Sequence, residues 1–394
     1  MAESDVNRHG TSGLPSSSVA ADTKAATSKP RVAFLLKSAR RRRLASGDAI
    51  PSEFFYGYIQ LRDAGWCVDL IEQDDLGVGL SESVVWAPFN WLSDVFLGLH
   101  LRALYQLAGK RSRRRLADFA FVIVAQNSLG FCLCLLHAIG VVKAKPVFIV
   151  MGGLDTAIRG LAGYTRRRLL SHAVAASLSK GETAGVADRH GIRLNYVPFG
   201  VDTKFWTPAP DAATADYVMS IGNDSHRDFT TLIDAWQPEF PVLKIVSRIV
   251  QGPVPSNVEV ISGHYDLVEI SDADIRELYR GARFVVIPLT ETLQPSGQSA
   301  CLQAMACGKA VVLSDIAGLW DRELMRDAHN CVLVPPGDTD ALRRAVRSLL
   351  ADEVRAGVIG RAARTTVEDD LNVEAMTDSL SALCLREQHR SDPI

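Results

Sequence analysis

The sequence predicts an α/β protein built from two doubly wound domains, and three observations support this prediction. Short apolar runs alternate with helical stretches in both halves of the chain, starting with RVAFLLK at Arg31 and with YVMSIG at Tyr217. A chain of 394 residues is also long enough to form two hydrophobic cores. A Pro- and Ala-rich segment from Pro208 to Ala215 separates the halves, so we place a first domain at residues 31–205 and a second domain at residues 206–372.

The N-terminal tail, residues 1–30, is rich in Ser, Thr and Ala and has little apolar content. Such a segment has almost nothing to bury, so we expect it to be disordered. Because no apolar core follows a basic start, we do not expect a signal peptide here.

Composition and charge narrow the classes of partner. Hydrophobic residues make up 47% of the chain and charged residues 22%, which is ordinary for a globular protein. The seven cysteines form no CxxC pair and no metal-ligand spacing with histidine, so we expect no metal site and reduced core thiols in a reducing, cytoplasmic compartment.

Residues 1–200 hold 25 Lys and Arg against 16 Asp and Glu, a net charge of +9, whereas residues 201–394 hold 18 against 29, a net charge of −11. The basic half suits an anionic lipid or a phosphorylated acceptor, and the acidic half argues against nucleic acid.

The segment from Leu92 to Leu107 has apolar residues on two helical faces, whereas a helix that rests on a globular domain needs only one. Aromatic residues precede this segment, and the basic cluster Lys110 to Arg115 follows it. The pattern is typical of a helix in a membrane interface, so residues 86–115 are a candidate membrane surface. A helix hairpin packed between the domain and a homodimer partner explains the same pattern, and the sequence leaves both open. One face holds Leu92, Val95, Phe96, Leu99, Ala103 and Leu107, and the other holds Leu97, Leu101, Leu104 and Tyr105.

The segment from Phe119 to Val142 contains no charged residue over 24 positions, which by length alone permits a transmembrane helix. Polar residues from Gln126 to Ser128 interrupt its centre, and the strand-like run PVFIV follows at Pro146. A strand, a turn and a helix are therefore the better prediction. Asn127 would then lie at the carboxyl end of a strand, where open α/β sheets bind ligands.

The stretch from Leu293 to Asp315 has the residue types of a loop that opens a helix and then leads into a buried strand. Pro295 to Gly297 interrupt regular structure, and small residues follow as far as Gly308, where a helix would stop. Free backbone N–H groups and the positive end of the helix dipole favour an anion at such a helix start. A strand also ends at Gly222 and a helix begins near Asp228, so we expect a second anion-binding helix start that faces the first.

Four runs in the second half carry a family resemblance: YVPFGVDTKFW at Tyr196, GNDSHRDFTTLIDAW at Gly222, AMACGKAVV at Ala304 and VLVPPGD at Val332. They resemble the interdomain segment, the glycine loop with its helix, the donor-site motif and the last strand and turn of the retaining family 4 glycosyltransferases. These enzymes belong to glycosyl transferases group 1. The likeness covers most of the chain from about Asn195 to about Leu350.

The resemblance implies a GT-B architecture, in which two doubly wound, Rossmann-like domains face a central cleft. It places a helix within residues 373–394 that crosses back to the first domain. It also implies transfer of a sugar from a nucleotide-diphosphate donor with retention of anomeric configuration, and it implies no metal, cofactor or protein nucleophile.

On the family pattern, the glycine loop and the helix start of the donor-site motif bind the donor. Arg227 takes the place of a usual Lys, Asn223 takes the place of a usual Arg, and Gln303 replaces a motif Glu. The other motif Glu is absent, and amides stand where many members have a His in the first domain. Asn127 and Gln294 are our candidates for contacts at the reacting sugar. The expected donor-binding residues are Gly222, Asn223, Arg227, Ser296, Gly297, Gln298, Ser299 and Gln303.

These observations favour a hexosyltransferase of polysaccharide biosynthesis that acts on a glycan or a lipid-linked acceptor, in the cytoplasm or on the cytoplasmic face of a membrane. The missing carboxylates favour another hypothesis, in which the chain is a weak or inactive GT-B relative that serves as a partner in a glycan-assembly complex. The sequence leaves open the sugar, the base, the acceptor and the oligomeric state.

Overall fold

Two parallel six-stranded sheets carry the fold of the computed structural model, which describes residues 29–47, 49–77, 86–154, 160–209, 215–262 and 270–391. Most of the tail that we expect to be disordered, residues 1–28, lies outside the described residues, as do residues 392–394. The two sheets with their helices confirm the predicted α/β class with two doubly wound domains.

The first sheet has the strand order β2-β1-β3-β4-β5-β6. Strands β1 and β3 are buried along their whole length, as expected for a parallel sheet that is covered on both faces. The order changes direction between β1 and β3, and a crevice forms at the carboxyl ends of strands at such a point. The strands are β1 Val32–Leu36, β2 Val68–Glu72, β3 Phe121–Val124, β4 Lys145–Val150, β5 Val174–Ser177 and β6 Asn195–Tyr196.

Eight helices accompany this sheet in the described ranges, together with 3₁₀ turns at Glu53–Phe55 and Gln73–Leu76. They are α1 Arg40–Ala45, α2 Tyr58–Asp63, α3 Trp86–Leu97, α4 Leu101–Ala108, α5 Lys110–Leu116, α6 Asn127–Ala138, α7 Gly160–Leu170 and α8 Lys180–His190. The strand, turn and helix predicted within residues 119–142 are confirmed as β3 followed by α6, whose apolar residues are mostly buried.

The second sheet has the order β12-β11-β10-β7-β8-β9 and changes direction between β7 and β10. Its strands are β7 Tyr217–Ile221, β8 Val242–Val246, β9 Val258–Ile261, β10 Val285–Ile287, β11 Val311–Ser314 and β12 Val332–Val334. The helices beside it are α9 Phe229–Ala235, α10 Asp272–Gly281, α11 Gln298–Ala306, α12 Thr339–Ala351 and α13 Glu353–Asp370. The chain ends, as far as it is described, in α14 Val373–Ser391.

The two domains are in direct contact. Helix α14 packs against α2 of the first domain, and Lys145 Nζ lies 2.6 Å from a carboxylate oxygen of Glu387. On another side, the backbone N–H of Lys180 donates to the carbonyl of Trp320 over 2.8 Å. One buried apolar cluster runs through both domains and includes Phe199 and Trp206. The domains therefore share a core as well as a cleft.

The structure corrects the prediction for residues 92–107. A continuous helix with two apolar faces over residues 92–107 is wrong, because Gly98 adopts a left-handed backbone with φ of 70° and separates α3 from α4. Leu99 and Leu107 of one predicted face are buried, whereas Leu92 of the same face is exposed. Within the described ranges, we find no helix whose length and apolar character would suit a bilayer crossing.

Candidate functional site

Three adjoining cavities form a cleft between the domains, and each of them is lined partly by Phe54. The second-domain cavity, of about 420 Å³, lies beside Gly222 and Gln303. The junction cavity, of about 260 Å³, lies where the loop from Gln294 to Ser299 meets the first domain. The first-domain cavity, of about 440 Å³, lies at the ends of β1 and β3. Residues just beyond the carboxyl ends of strands from both sheets thus converge on one cleft.

The start of α11 borders both the second-domain cavity and the junction cavity. Gly297 caps this helix with φ of 75°, a backbone conformation that residues with a side chain rarely adopt. The first intrahelical hydrogen bond runs from the N–H of Cys301 to the carbonyl of Gly297, so the N–H groups of residues 298–300 lie outside the helix ladder. The helix dipole adds positive potential at this point, which favours an anion.

Arg227 lies against this helix start and is 9% exposed. Its Nε donates to Asp224 over 2.7 Å, whereas its Nη1 is buried and has no hydrogen-bond partner among the described residues. A Cβ atom at Gly297 would lie 3.2 Å from Nη1, so the guanidinium is held close to the loop backbone. A buried cationic N–H without an acceptor is unfavourable, and an anionic ligand would relieve this cost.

A serine and a glutamine of the same loop have different roles. Ser296 is buried, and its hydroxyl has no partner within the described part of the chain, so it is available to a ligand. Gln298, also expected to bind the donor, instead donates its side-chain amide to the carbonyl of Leu178 over 2.9 Å. It therefore ties the loop to the first domain, and its backbone N–H is the group that remains for a ligand.

Gln303 lies one helical turn beyond Ser299 and lines the second-domain cavity. Its Nε2 donates over 3.0 Å to Glu53, a fully buried carboxylate of the first domain. The indole of Trp206 donates to the same oxygen over 2.8 Å. Burial raises the pKa of Glu53 to about 7, although the bonds from Trp206 and Gln303 oppose that rise. No local sequence pattern marks this contact, because the partners lie 250 positions apart.

At the first-domain cavity, the side chain of Asn127 is not free to contact a sugar, contrary to our expectation. Its amide is engaged at both ends: Nδ2 donates to the carbonyl of Gly152 over 3.1 Å, and Oδ1 accepts from the N–H of Met151 over 3.0 Å. Asn127 therefore holds the loop after β4. Its neighbour Gln126 has a buried Oε1 with no partner in the described ranges, so it is the better placed amide for a hydroxyl donor. Gln294 reaches across the junction, and its Cγ lies 2.4 Å from where a Cβ of Gly152 would be.

The glycine loop after β7 only partly matches the prediction. Gly222 lines the second-domain cavity and is overlaid by Arg227, as expected. The side-chain oxygen of Asn223 accepts from the N–H of Arg248 over 2.8 Å, so it supports the neighbouring turn. The second anion-binding helix start is wrong, because Asp228 caps α9 with its own carboxylate, which accepts from the N–H of Thr231 over 3.0 Å. A carboxylate at that end disfavours a second anion.

A further cavity, of about 610 Å³, lies elsewhere, at the amino ends of β10 and β11. Its charged lining residues pair with each other: Arg283 Nη1 lies 2.9 Å from Asp216, and Arg283 also bonds Glu353. No buried side chain lining it lacks a hydrogen-bond partner in the described residues. We therefore place the functional site at the interdomain cleft.

Comparisons with known proteins identify proteins that resemble this chain. Residues 217–352 match the family model described as glycosyl transferases group 1, and this range contains Gly222, Arg227 and the loop at α11. The chain is also similar to the alpha-maltose-1-phosphate synthase of Mycobacterium tuberculosis, with 27% identity over 193 residues that cover 42% of this chain and 49% of that protein. The same enzyme of Mycolicibacterium smegmatis is 27% identical over 203 residues, covering 43% of this chain and 51% of that protein. The match thus spans about half the length of these curated relatives.

Solved structures show the fold over nearly the whole chain. HepE from Anabaena, in complex with UDP-glucose, has a TM-score of 0.63 at 14% identity and covers 91% of this chain and 100% of that one. Sucrose-phosphate synthase from Thermosynechococcus elongatus has a TM-score of 0.64 at 16% identity. The match covers 92% of this chain and 100% of that one. The predicted GT-B architecture is therefore confirmed, and within this fold residues 217–352 are similar to glycosyl transferases group 1.

Proposed function

We propose that the protein is a retaining glycosyltransferase that moves a sugar from a nucleotide-diphosphate donor to a lipid-linked or glycan acceptor. The observation that carries this proposal is the buried guanidinium of Arg227, whose Nη1 lacks a partner in the described residues beside the start of α11. A diphosphate would satisfy both Nη1 and the free N–H groups of the helix start. The relatives' names and the UDP-glucose bound to HepE support the same donor class.

The cavities suggest how the donor lies in the cleft. Arg227 and Ser299 line both the second-domain and the junction cavity, so the diphosphate fits between these cavities. The nucleoside then extends past Gln303 into the second-domain cavity, which has apolar walls from Ile221 and Ile275. The sugar lies in the junction cavity beside Gln294. The acceptor occupies the first-domain cavity, which Tyr56 and Met151 join to the junction.

The chemistry follows from this placement. As the bond between the sugar's anomeric carbon and the diphosphate breaks, negative charge grows on the leaving phosphate oxygen. Arg227 and the N–H groups of residues 298–300 stabilise that charge, which lowers the barrier directly. In a retaining reaction without a protein nucleophile, the acceptor hydroxyl attacks from the same face and gives its proton to the departing phosphate oxygen. The contact between the two domains shelters this step from water.

An outward-facing apolar helix supports a membrane-bound acceptor. Polar side chains hold helix α3 to the rest of the first domain: the half-exposed Asp94 pairs with Arg166 over 2.6 Å, and the side chain of Asn90 accepts from the N–H of Arg102 over 3.0 Å. The large apolar side chains of α3 face outward, with Trp91 66% exposed. Such an arrangement is the reverse of a helix that packs on its own domain. We name the following ten exposed residues the apolar patch: Phe89, Trp91, Leu92, Val95, Phe96, Leu97, Leu101, Tyr105, Leu161 and Tyr164.

The charge around the apolar patch favours an anionic membrane over a second copy of the chain as its partner. Exposed cations follow the patch on α5 and α7, which matches an anionic lipid surface. Helices α4 and α7 of the patch pack on α6, and the first residues of α6, Asn127 and Ser128, line the first-domain cavity. A lipid-linked acceptor on the cytoplasmic face would thus have its head near the cleft. These cations are Lys110, Arg111, Arg113, Arg114, Arg167 and Arg168.

A catalytically weak partner in a glycan-assembly complex remains a second candidate, and two observations favour it. Pro295 stands where the family pattern has a carboxylate, and both ends of the Asn127 amide are bound within the first domain. Incubation of the purified protein with a panel of labelled nucleotide sugars, beginning with UDP-glucose, separates the candidates. We expect release of the nucleoside diphosphate. We also expect NMR to show that the new glycosidic bond has the same anomeric configuration as the sugar in the donor. Binding without hydrolysis or transfer across the panel would support the partner role instead.

A further inference from the structure

A buried carboxylate of the first domain lies behind the wall of the second-domain cavity. Glu53 has no exposed surface, and its Oε1 accepts from both the indole of Trp206 and the amide of Gln303. Its Oε2 accepts from the backbone N–H of Asp202 over 3.3 Å. These bonds join the first domain to the interdomain segment and to α11. Phe54, the next residue, lines all three cavities of the cleft.

Glu53 sets the direction in which the Gln303 amide points. A carboxylate accepts hydrogen bonds only, so the face of the amide toward Glu53 must be its Nε2. The amide oxygen then points toward α10, where the hydroxyl of Tyr279 lies 3.4 Å away. One N–H and one lone pair of Gln303 remain for other partners. Gln303 lines the second-domain cavity, whereas Glu53 does not, so any contact with a ligand is made by Gln303.

The distance along α11 matches the layout of a nucleoside diphosphate. Gln303 follows Ser299 by one turn, which places it roughly 6 Å further along the helix. In a nucleoside diphosphate the ribose is joined directly to the diphosphate. A diphosphate at the start of α11 therefore brings the ribose hydroxyls to the level of Gln303. Each hydroxyl both donates and accepts, which suits the remaining N–H and lone pair of the amide.

We propose that Glu53 is a positioning residue of the donor site: its carboxylate fixes the Gln303 amide so that this amide presents one N–H and its oxygen to the ribose hydroxyls of a nucleoside diphosphate. The inference rests on the proposed function. Gln303 stands on α11 where the family motif has a Glu. The carboxylate beside this position thus comes from the first domain rather than from α11 itself.

Ionisation of Glu53 matters to this arrangement, because a protonated carboxyl could donate to the amide oxygen and so permit the reverse orientation. Burial raises the pKa of Glu53 to about 7, and the nearby charge of Asp202 adds to that rise. The hydroxyl of Tyr279 also lies beside Gln303, and burial raises the pKa of Tyr279 well above its ordinary value, so this group stays neutral. At pH 8 the carboxylate form of Glu53 predominates, so the measurements belong at that pH.

Calorimetric titration tests the proposal with UDP, ADP and GDP, and then with the 2′,3′-dideoxy form of the tightest ligand. We expect Glu53→Gln to weaken binding of the ribose form about 3- to 10-fold, since one oriented hydrogen bond is affected. We expect almost no change for the dideoxy form. Trp206→Phe, which keeps the ring but removes the indole donor, is a second variant with a smaller loss of the same kind. Far-UV circular dichroism and a melting curve confirm that each variant is folded.

A double-mutant cycle with Gln303→Met completes the test. If Glu53 acts through Gln303, then Glu53→Gln causes no further loss of affinity in the Gln303→Met background. Two results would overturn the inference and leave the proposed function intact. One is that Glu53→Gln lowers the affinity for the ribose form and for the dideoxy form equally. The other is that Glu53→Gln lowers the affinity by its full factor in the Gln303→Met background as well. Absence of binding by the wild-type chain to all three nucleoside diphosphates would overturn the donor assignment, and the inference with it.

Discussion

The guanidinium of Arg227 occupies the space that a side chain at position 222 would need. A Cβ atom at Gly222 would lie 2.1 Å from Arg227 Nε, and the backbone of Gly222 has φ of 150°. Strand β7 ends just before this glycine, so the sheet, the loop and the cation form one unit. The absence of a side chain at 222 thus lets a buried cation face the cleft.

Gly222→Ala should therefore displace Arg227 and weaken nucleoside diphosphate binding by at least about tenfold, because a charge-assisted contact is lost. Isothermal titration calorimetry measures the effect. Gly252→Ala is the matched control: it also has positive φ, at 87°, but a Cβ there meets no atom within 4 Å. Equal losses in both variants would show that backbone strain, rather than the position of Arg227, determines affinity.

Replacement of three residues of the apolar patch, Trp91→Gln, Leu92→Gln and Phe96→Gln, should lower binding to anionic vesicles by at least about tenfold, because each removes apolar surface from the membrane contact. Co-sedimentation with phosphatidylcholine vesicles, with and without phosphatidylglycerol, provides the measurement. Val354→Gln with Val358→Gln is the control, since these residues of the second domain are also exposed. A different outcome would favour the homodimer alternative: the wild type does not bind vesicles and is a dimer in analytical ultracentrifugation, whereas the triple variant is a monomer.

Glu182→Gln should stabilise the protein above neutral pH. Glu182 is buried and accepts from the hydroxyl of Ser177 over 2.6 Å, and burial raises its pKa from 4.5 to about 7. The folded chain thus keeps a proton that the unfolded chain releases, so the contribution of Glu182 to stability is fully present below pH 4.5 and is lost as the pH rises through 7. The variant should exceed wild type by up to about 3 kcal/mol at pH 8 and by little near pH 4.5.

Urea denaturation at a series of pH values measures this difference in the free energy of unfolding. Glu239→Gln serves as the control, because Glu239 is an exposed carboxylate of the second domain. A Glu182→Gln variant whose stability has the same pH dependence as wild type would contradict the assignment.

Thiol labelling should modify Cys67 alone in the folded protein. Cys67 is exposed, and the other six cysteines are buried. Burial raises the pKa of Cys132, for example, to about 12, so its reactive thiolate is scarce at neutral pH. We expect one equivalent of label under native conditions, none in Cys67→Ser, and seven after unfolding of the wild type. Rapid native labelling of further thiols would contradict the buried positions.

The fold and much of the candidate site were predictable from the sequence because they depend on local patterns. Apolar runs of strand length alternate with helices in both halves, and the loop before Gln298 combines helix-breaking residues with small ones. These patterns predict the two doubly wound domains, which the structure confirms. They also place Arg227 and Ser296 in the same cleft.

What the sequence did not predict depends on contacts between distant residues or on backbone conformation. Glu53 contacts Gln303 across 250 positions, and no local pattern marks such a pair. The carboxylate of Asp228 fills the helix start that was expected to be open. Periodicity also showed two apolar faces before Leu107, but the positive φ of Gly98 determines which of these residues are buried.

The central claim is that the cleft holds a nucleoside diphosphate at Arg227. Titration calorimetry of wild type and Arg227→Met with UDP, ADP and GDP tests it most directly, with Arg322→Met, an exposed arginine of the same domain, as control. We predict that wild type and the control bind one of these ligands alike and that Arg227→Met binds it about 100-fold more weakly. Unchanged affinity in Arg227→Met would contradict the account.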